Sequence, residues 1–312
     1  MTTLVLPMIC FVLGLTLSSR GRLPETAAAA HNAFVVKALN AFIINISLPA
    51  LILLLVPGLH WDRSLIYSIL MPWIMFIGGL GFFWCAGKLA CLPAQTIGCL
   101  MLTGSLANTS FVGLPMIEAY YGPQGRGVGI LIDQFGTYAV LSSLGIVVAA
   151  AYSSHRVTWA MVCKKVLLFR PFQALLIALV LMPQEYPGWL ESTLRFLGSL
   201  LAPLAFVSVG MQLRLSSLRG RIAVLSLGLG FKLLLAPALL MLLLVHGLGS
   251  EGEVTRITLF EAAMPPMIGA AIVAGEHDLD RELVALMVGV GIPLSFVTLH
   301  LWSYVLNAAV QG

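Results

Sequence analysis

Apolar segments recur along the whole chain, and polar residues, glycine or proline separate each one from the next. There are ten, at 3–18, 33–55, 65–87, 94–120, 127–151, 172–183, 194–213, 222–247, 255–274 and 283–307. A helix that crosses a bilayer needs about 20 mostly apolar residues. Because 59% of the 312 residues are hydrophobic and only 10% are charged, little sequence is left for a soluble domain. The pattern predicts an all-α, polytopic membrane protein of about ten transmembrane helices.

The basic residues favour one orientation in the membrane. If the amino terminus lies outside and the ten spans alternate, twelve Lys and Arg residues lie on the cytoplasmic side and four lie outside. Cytoplasmic loops are the ones that carry an excess of positive charge. We therefore expect a multi-pass protein of the bacterial inner membrane, embedded in its lipid bilayer, with the amino terminus outside.

The two halves of the chain show a weak internal similarity. Ser-Leu-Pro-Ala-Leu at 47–51 matches Leu-Ala-Pro-Leu-Ala at 201–205, and Asn-Thr-Ser-Phe at 108–111 falls on Ala-Met-Pro-Pro at 263–266 at nearly the same offset. Because five helices is an odd number, a second copy of five must enter the membrane upside down, as in many secondary transporters. We predict two inverted five-helix repeats, at 1–151 and 152–312.

Two spans contain residues that interrupt a helix. They are Asn108, Thr109, Ser110 and Pro115 in the fourth span, and Met264, Pro265 and Pro266 in the ninth. Proline removes a backbone donor, and the short polar side chains can replace lost backbone bonds. We expect both spans to break near the bilayer midplane, where irregular backbone must be buried in protein or face a water-filled cavity. A pair of ordinary proline kinks is the alternative.

Two breaks at symmetric positions predict one central binding site. The amino ends of half-helices carry free N–H groups and partial positive charge, so a carboxylate is a natural ligand there. The candidate substrate-binding residues from the breaks are Asn108, Thr109, Ser110, Met264 and Pro265.

Ionisable residues inside the spans are costly and are functional candidates for that reason. Glu261 lies one turn before Pro265 and can bind a proton or a sodium ion, or it is a carboxyl that burial keeps neutral. Asp133 couples an ion or lines the outer vestibule. Lys232 neutralises one of these acids or an anionic substrate, or it is a structural lysine or one that extends its ammonium toward the membrane surface.

Three stretches resemble the auxin efflux carrier family, which includes the plant PIN carriers: residues 105–122, the Ala-Ala-Met-Pro at 262–265, and the Pro-Leu-Ser-Phe-Val-Thr-Leu at 293–299. The resemblance implies a scaffold of helices 1, 2, 6 and 7, transport helices 3–5 and 8–10, crossed helices 4 and 9, and a homodimer. It implies that Asn108 holds the substrate carboxylate, that Pro265 marks the crossing, and that Gln134 lines the pocket. Ala107 stands where the plant carriers have proline. The fold of the sodium–bile acid symporters is a more distant likeness.

Other classes of function find little support in the sequence. It contains no GxSxG, HExxH or DDxxD pattern, so we predict neither an enzyme nor catalytic residues. We expect no metal site, no nucleic-acid partner and no cofactor other than Na+ or H+ as a coupling ion. The sequence predicts a secondary transporter of a small organic anion that works by alternating access, with a sodium- or proton-coupled symporter of the bile-acid type or an anion channel as alternatives.

Overall fold

The computed structural model describes residues 2–19, 25–58, 63–153, 167–180, 186–212 and 220–310. These residues are helical almost throughout, with no strand among them and one isolated antiparallel bridge between Ala107 and Pro266. Several basic residues behind the predicted orientation lie outside the described residues, namely Arg20, Arg22, Arg156, Lys164, Lys165, Arg214 and Arg219.

Within the described residues, six helical stretches are long and apolar enough to cross a membrane. They are His31–Leu55, Leu65–Leu89, Pro123–Ala151, Gly188–Met211, Ile222–Gly247 and Arg281–Ala309. The prediction of an all-helical membrane protein is confirmed at this level. The count of ten helices in inverted repeats stays a prediction.

The α-helices follow one another along the chain as α1 (Thr2–Ser19), α2 (Glu25–Phe42), α3 (Leu48–Leu55), α4 (Arg63–Leu89), α5 (Ala94–Ser105), α6 (Leu114–Tyr121), α7 (Arg126–Leu131), α8 (Ile146–Ala151), α9 (Arg170–Val180), α10 (Gly188–Ser199), α11 (Leu201–Gln212), α12 (Ile222–Gly230), α13 (Ala236–Met241), α14 (Gly252–Ala262), α15 (Ile268–Glu276) and α16 (Arg281–Ala309). Wider π-helical turns lie between some of them, at Ile43–Ser47, Thr109–Gly113, Ile132–Tyr138, Leu141–Gly145, Phe231–Leu235 and Leu242–Gly247.

The chain divides into two compact units. The first unit comprises Met1–His60, Ser110–Ile130 and Leu167–Leu213, and the second comprises Trp61–Thr109, Leu131–Val166 and Arg214–Gly312. The division cuts the predicted fourth span between Thr109 and Ser110, so its two halves belong to different units.

Glycine allows two helices of the first unit to approach closely. A Cβ atom on Gly14 of α1 would meet the carbonyl oxygen of Val207 in α11, and a Cβ atom on Gly210 would meet the carbonyl oxygen of Phe11. Small residues at such crossings let helix backbones touch, which is how membrane helices commonly pack. The core of this unit therefore depends on the absence of side chains at these two positions.

Two tryptophans of the second unit hold π-helical turns in place. Trp73 of α4 donates its indole N–H to the carbonyl oxygen of Phe135 at 3.0 Å, within the turn Ile132–Tyr138. Trp302 of α16 donates to the carbonyl oxygen of Leu233 at 2.8 Å, within the turn Phe231–Leu235. Both turns are thus tied to long neighbouring helices, which positions the polar side chains that they carry.

A polar cluster ties together several elements at one end of the second unit. Asp280 caps α16 by accepting a bond from the Leu283 N–H at 3.2 Å, and it also accepts one from the Thr96 hydroxyl at 2.8 Å. Arg221, just before α12, forms an ion pair with Asp280. Burial favours a raised pKa for Asp280, but the bonds from Thr96, Leu283 and Arg221 together hold the pKa below its ordinary value. The ionised carboxylate therefore stabilises this end of the unit.

We expect Asp280→Ala to lower the thermal midpoint, because it removes a helix cap worth about 1–2 kcal/mol together with two further bonds. Since the pKa of Asp280 is lowered on folding, its contribution is present at neutral pH and is lost as the pH falls below about 4. The midpoint difference between the wild type and the variant should therefore shrink in acid. Thermal unfolding across pH measures this.

Glu191→Ala is the matched control for this prediction. Glu191 also pairs with an arginine, Arg195, but both side chains are exposed, and exposed ion pairs contribute little. An equal loss of stability in the two variants, or a loss in Asp280→Ala that does not change with pH, would contradict the assigned role of Asp280.

Candidate functional site

Two interrupted helices of the second unit pair at their breaks. α5 ends at Ser105 and α14 ends at Ala262. The chain is extended at Leu106 directly after α5, whereas after α14 it turns at Ala263 and is extended again at Met267. The two segments pair in antiparallel orientation at Ala107 and Pro266. The backbone N–H of Asn108 donates to the carbonyl oxygen of Pro265 at 2.9 Å, and that of Met267 donates to Leu106 at 3.1 Å. Backbone groups freed by one break are therefore satisfied by the other.

The local sequence explains why the chain leaves the helix at these points. Pro265 and Pro266 have no N–H to donate, so α14 cannot continue through them. At the other break Ala107 pairs with Pro266, and the interruption forms there without a proline. Buried backbone groups must find partners, and all residues at 106–108 and 263–267 are buried. The crossing is thus a short antiparallel pairing of two non-helical segments inside a helical unit.

One helix-break residue lies elsewhere than the sequence pattern indicated. The chain leaves helical geometry at 106–108, whereas Pro115 lies in the first turn of α6. Pro115 thus lies where the π-helical turn Thr109–Gly113 passes into α6, and its missing N–H falls at this change of helical pattern. Ser110 and Pro115 both belong to the first unit.

Asp133 organises the polar side chains beside the break. Its Oδ1 accepts a bond from the Thr109 hydroxyl at 2.5 Å, and its Oδ2 accepts one from the Gln134 amide at 2.7 Å. All three residues are buried. Because the Gln134 amide nitrogen faces Asp133, its carbonyl oxygen is left as an acceptor, and it has no hydrogen-bond partner in the described part of the chain.

Glu261 and Lys232 lie in the same unit, and both are fully buried. The Lys232 ammonium donates to the carbonyl oxygen of Ala262, the last residue of α14, at 2.8 Å. Neither carboxyl oxygen of Glu261 has a hydrogen-bond partner among the described residues. Lys232 thus binds the end of α14 at the residue directly after Glu261.

The structure also brings in residues that the sequence pattern did not single out. Ser105 precedes the first break, and Thr137 follows Asp133 by four residues. Their hydroxyls are buried without a hydrogen-bond partner in the part of the chain that the structure describes. Ser105 belongs to the small polar stretch of the fourth span, and Thr137 lies one helical turn from Asp133. The sequence could therefore have indicated both residues as parts of the site.

Most of these side chains come from irregular backbone. Asp133 and Gln134 lie in one π-helical turn, Lys232 in another, and Thr109 begins a third. Such turns are frequent at functional sites. The site combines carboxyl, amide, hydroxyl and ammonium groups, and the described residues contain no group of three His, Cys, Asp or Glu side chains that could hold a metal. This set of groups is suited to binding and releasing a small polar or charged species.

Comparisons with a protein family and with two individual proteins all find similarity to transporters. The sequence profile of a family described as membrane transport protein matches residues 142–303. An uncharacterized transporter from Methanothermobacter thermautotrophicus is 29% identical over 311 residues, which cover 97% of each chain. An uncharacterized transporter from Methanocaldococcus jannaschii is 23% identical over 281 residues, covering 86% of this chain and 89% of its own.

Proposed function

The chain belongs to the membrane transport protein family, the family of the auxin efflux carriers, and on that premise we propose that it is a secondary transporter of a small organic anion, of the carboxylate class. The observation that carries the proposal is the pairing of two helix breaks through Asn108 and Pro265. Discontinuous helices of this kind form the substrate sites of many secondary transporters.

The chemistry of the breaks supports an anionic substrate. A new helix, α15, begins directly after the second break, and its first N–H groups and partial positive charge favour a carboxylate. In this proposal the Asn108 amide binds the carboxylate, while Thr109, Ser110, Gln134 and Met264 line the pocket. The hydrogen bonds that Asp133 accepts from Thr109 and Gln134 support this proposal, because they fix the positions of side chains that line the proposed pocket.

The proposed mechanism is alternating access. Transport helices 3–5 and 8–10 would shift against the scaffold helices 1, 2, 6 and 7, and two copies would associate through the scaffold as a homodimer in the bacterial inner membrane, with the amino terminus outside. An anion that leaves a negative cytoplasm gains about 2.3 kcal/mol per charge per 100 mV. Export therefore needs no coupling ion, whereas uptake would need one bound at Glu261 or Asp133.

Purified protein on a solid-supported membrane tests the proposal directly. We expect saturable currents when a panel of mono- and dicarboxylates is added, and none with the corresponding neutral amides or on protein-free membranes. The dependence of the currents on pH and sodium then identifies the coupling ion. If folded protein gives no current with any anion, and counterflow of labelled carboxylates is also absent, the anion assignment is wrong.

A further inference from the structure

Lys232 is a buried cation, and the proposed binding of a carboxylate at the break gives this residue no role. Its side chain is fully buried, and it comes from the π-helical turn that Trp302 ties to α16. Burying an ammonium group is costly unless specific partners compensate it. The contacts that compensate the buried ammonium therefore indicate the function of Lys232.

The ammonium lies at the carboxyl end of a half-helix. The last carbonyl groups of a helix have no intrahelical partner and carry partial negative charge. At the end of α14, the carbonyl oxygens of Phe260 and Glu261 accept bonds from the backbone N–H groups of Ala263 and Met264, and that of Ala262 accepts the bond from Lys232. In transporters with broken helices, such carboxyl ends coordinate the coupling cation. Here a side chain of the protein occupies one of the oxygens that a cation would use.

Glu261 supplies the second half of a cation site. It directly precedes Ala262, is fully buried, and has two oxygens without hydrogen-bond partners in the described ranges. The ion pairs of the described residues do not include one between Glu261 and Lys232, so the carboxyl oxygens stay available next to the carbonyl group that Lys232 occupies. A carboxyl group and a helix-end carbonyl are oxygen ligands of the kind that hard cations bind.

We propose that the Lys232 ammonium is a built-in cation that takes the place of a coupling sodium ion at the carboxyl end of α14. A sodium ion in the same position would be repelled by the ammonium at short range. Sodium then has no role in the wild-type protein, and removing the ammonium opens a sodium site formed by the Ala262 carbonyl oxygen and Glu261. The statement about coupling rests on the proposed transport function, whereas the site itself does not.

Thermal unfolding of purified protein in sodium chloride and in choline chloride, at equal ionic strength and without substrate, tests the site. We expect the same midpoint in both salts for the wild type. Lys232→Ala should have a lower midpoint than the wild type in choline chloride, and sodium should raise that midpoint saturably by about 5 °C. Adding Glu261→Gln to Lys232→Ala should abolish the rise. Lys88→Ala, at an exposed lysine near the end of α4, is the matched control and should not respond to sodium.

Every outcome of these measurements either supports or overturns the proposed role of Lys232. A saturable, sodium-specific rise in the wild type overturns the proposal, as does a folded Lys232→Ala protein that does not respond to sodium. If Lys232→Ala folds only in sodium chloride, the site is supported. If it folds in neither salt, the wild-type measurement alone decides. Absence of anion currents would refute the proposed function and leave this site intact, whereas wild-type anion currents that require sodium would refute the built-in cation and leave transport standing.

Discussion

Replacing Asn108 with alanine is expected to reduce the anion-induced current to less than about a fifth of the wild-type value at a concentration that half-saturates the wild type. The side chain is buried at the crossing of the two breaks. The backbone N–H that pairs with Pro265 is retained in the variant, so the crossing itself should persist. A hydrogen bond to a charged group contributes about 1.5–3 kcal/mol, which corresponds to a roughly 10- to 150-fold weaker affinity. Currents on a solid-supported membrane measure the change.

Asn45→Ala is the matched control for Asn108→Ala. The Asn45 amide is exposed and bonds to the carbonyl oxygen of Ala41 in its own helical turn at 2.7 Å. Asn45→Ala removes the same functional group as Asn108→Ala but leaves the two breaks unchanged. The anion-induced current should therefore be retained. If Asn108→Ala transports with unchanged half-saturation, the amide does not bind the carboxylate, and the substrate must be held by other groups.

Gly210→Ala is expected to lower the thermal midpoint of the protein strongly. The added methyl group would meet the carbonyl oxygen of Phe11 and the Cα atom of Gly14. Because these are backbone atoms, no side-chain rotation can relieve the contact, and α1 and α11 must separate. Overpacking typically costs about 1–3 kcal/mol, and we expect the upper end of that range here. Size-exclusion chromatography after heating detergent-solubilised protein measures the midpoint.

Gly81→Ala provides the comparison for this glycine. Gly81 lies in α4, another long apolar helix, and a Cβ atom there would meet nothing within 4 Å. Its midpoint should stay close to that of the wild type, since alanine is the better helix former. Equal midpoints for Gly81→Ala and Gly210→Ala would show that α1 and α11 do not depend on a glycine contact.

The sequence was most informative where the physical cause is local. The length of an apolar segment decides whether a helix can cross the bilayer, and this can be counted residue by residue. The two prolines at 265 and 266 remove adjacent backbone donors, so a break at this point follows from covalent structure alone. The position of the other break was less predictable. Pro115 lies near the start of α6, and the interruption at Leu106–Asn108 depends on pairing with the segment around Pro266, which is far away in the chain.

The residues that make up the site could be selected from the sequence, but their partners could not. Charge inside an apolar span marks Asp133, Lys232 and Glu261, because burying an ionisable group is costly wherever it occurs. Nothing in the sequence shows that Asp133 accepts a bond from Thr109 or that these side chains project from π-helical turns. Two of these turns accept indole bonds from Trp73 and Trp302, which belong to distant parts of the chain that the local sequence does not indicate.

By itself, the sequence determined that this chain is a helical membrane protein with interrupted spans and acidic residues beside an interruption, since hydropathy, proline and charge act on their immediate surroundings. Only the tertiary structure decided which backbone groups of the two interruptions pair and which oxygen the buried lysine binds. The Lys232 ammonium meets the Ala262 carbonyl oxygen through the packing of distant helices. A contact between residues thirty positions apart depends on the three-dimensional path of the backbone, which local propensities do not specify.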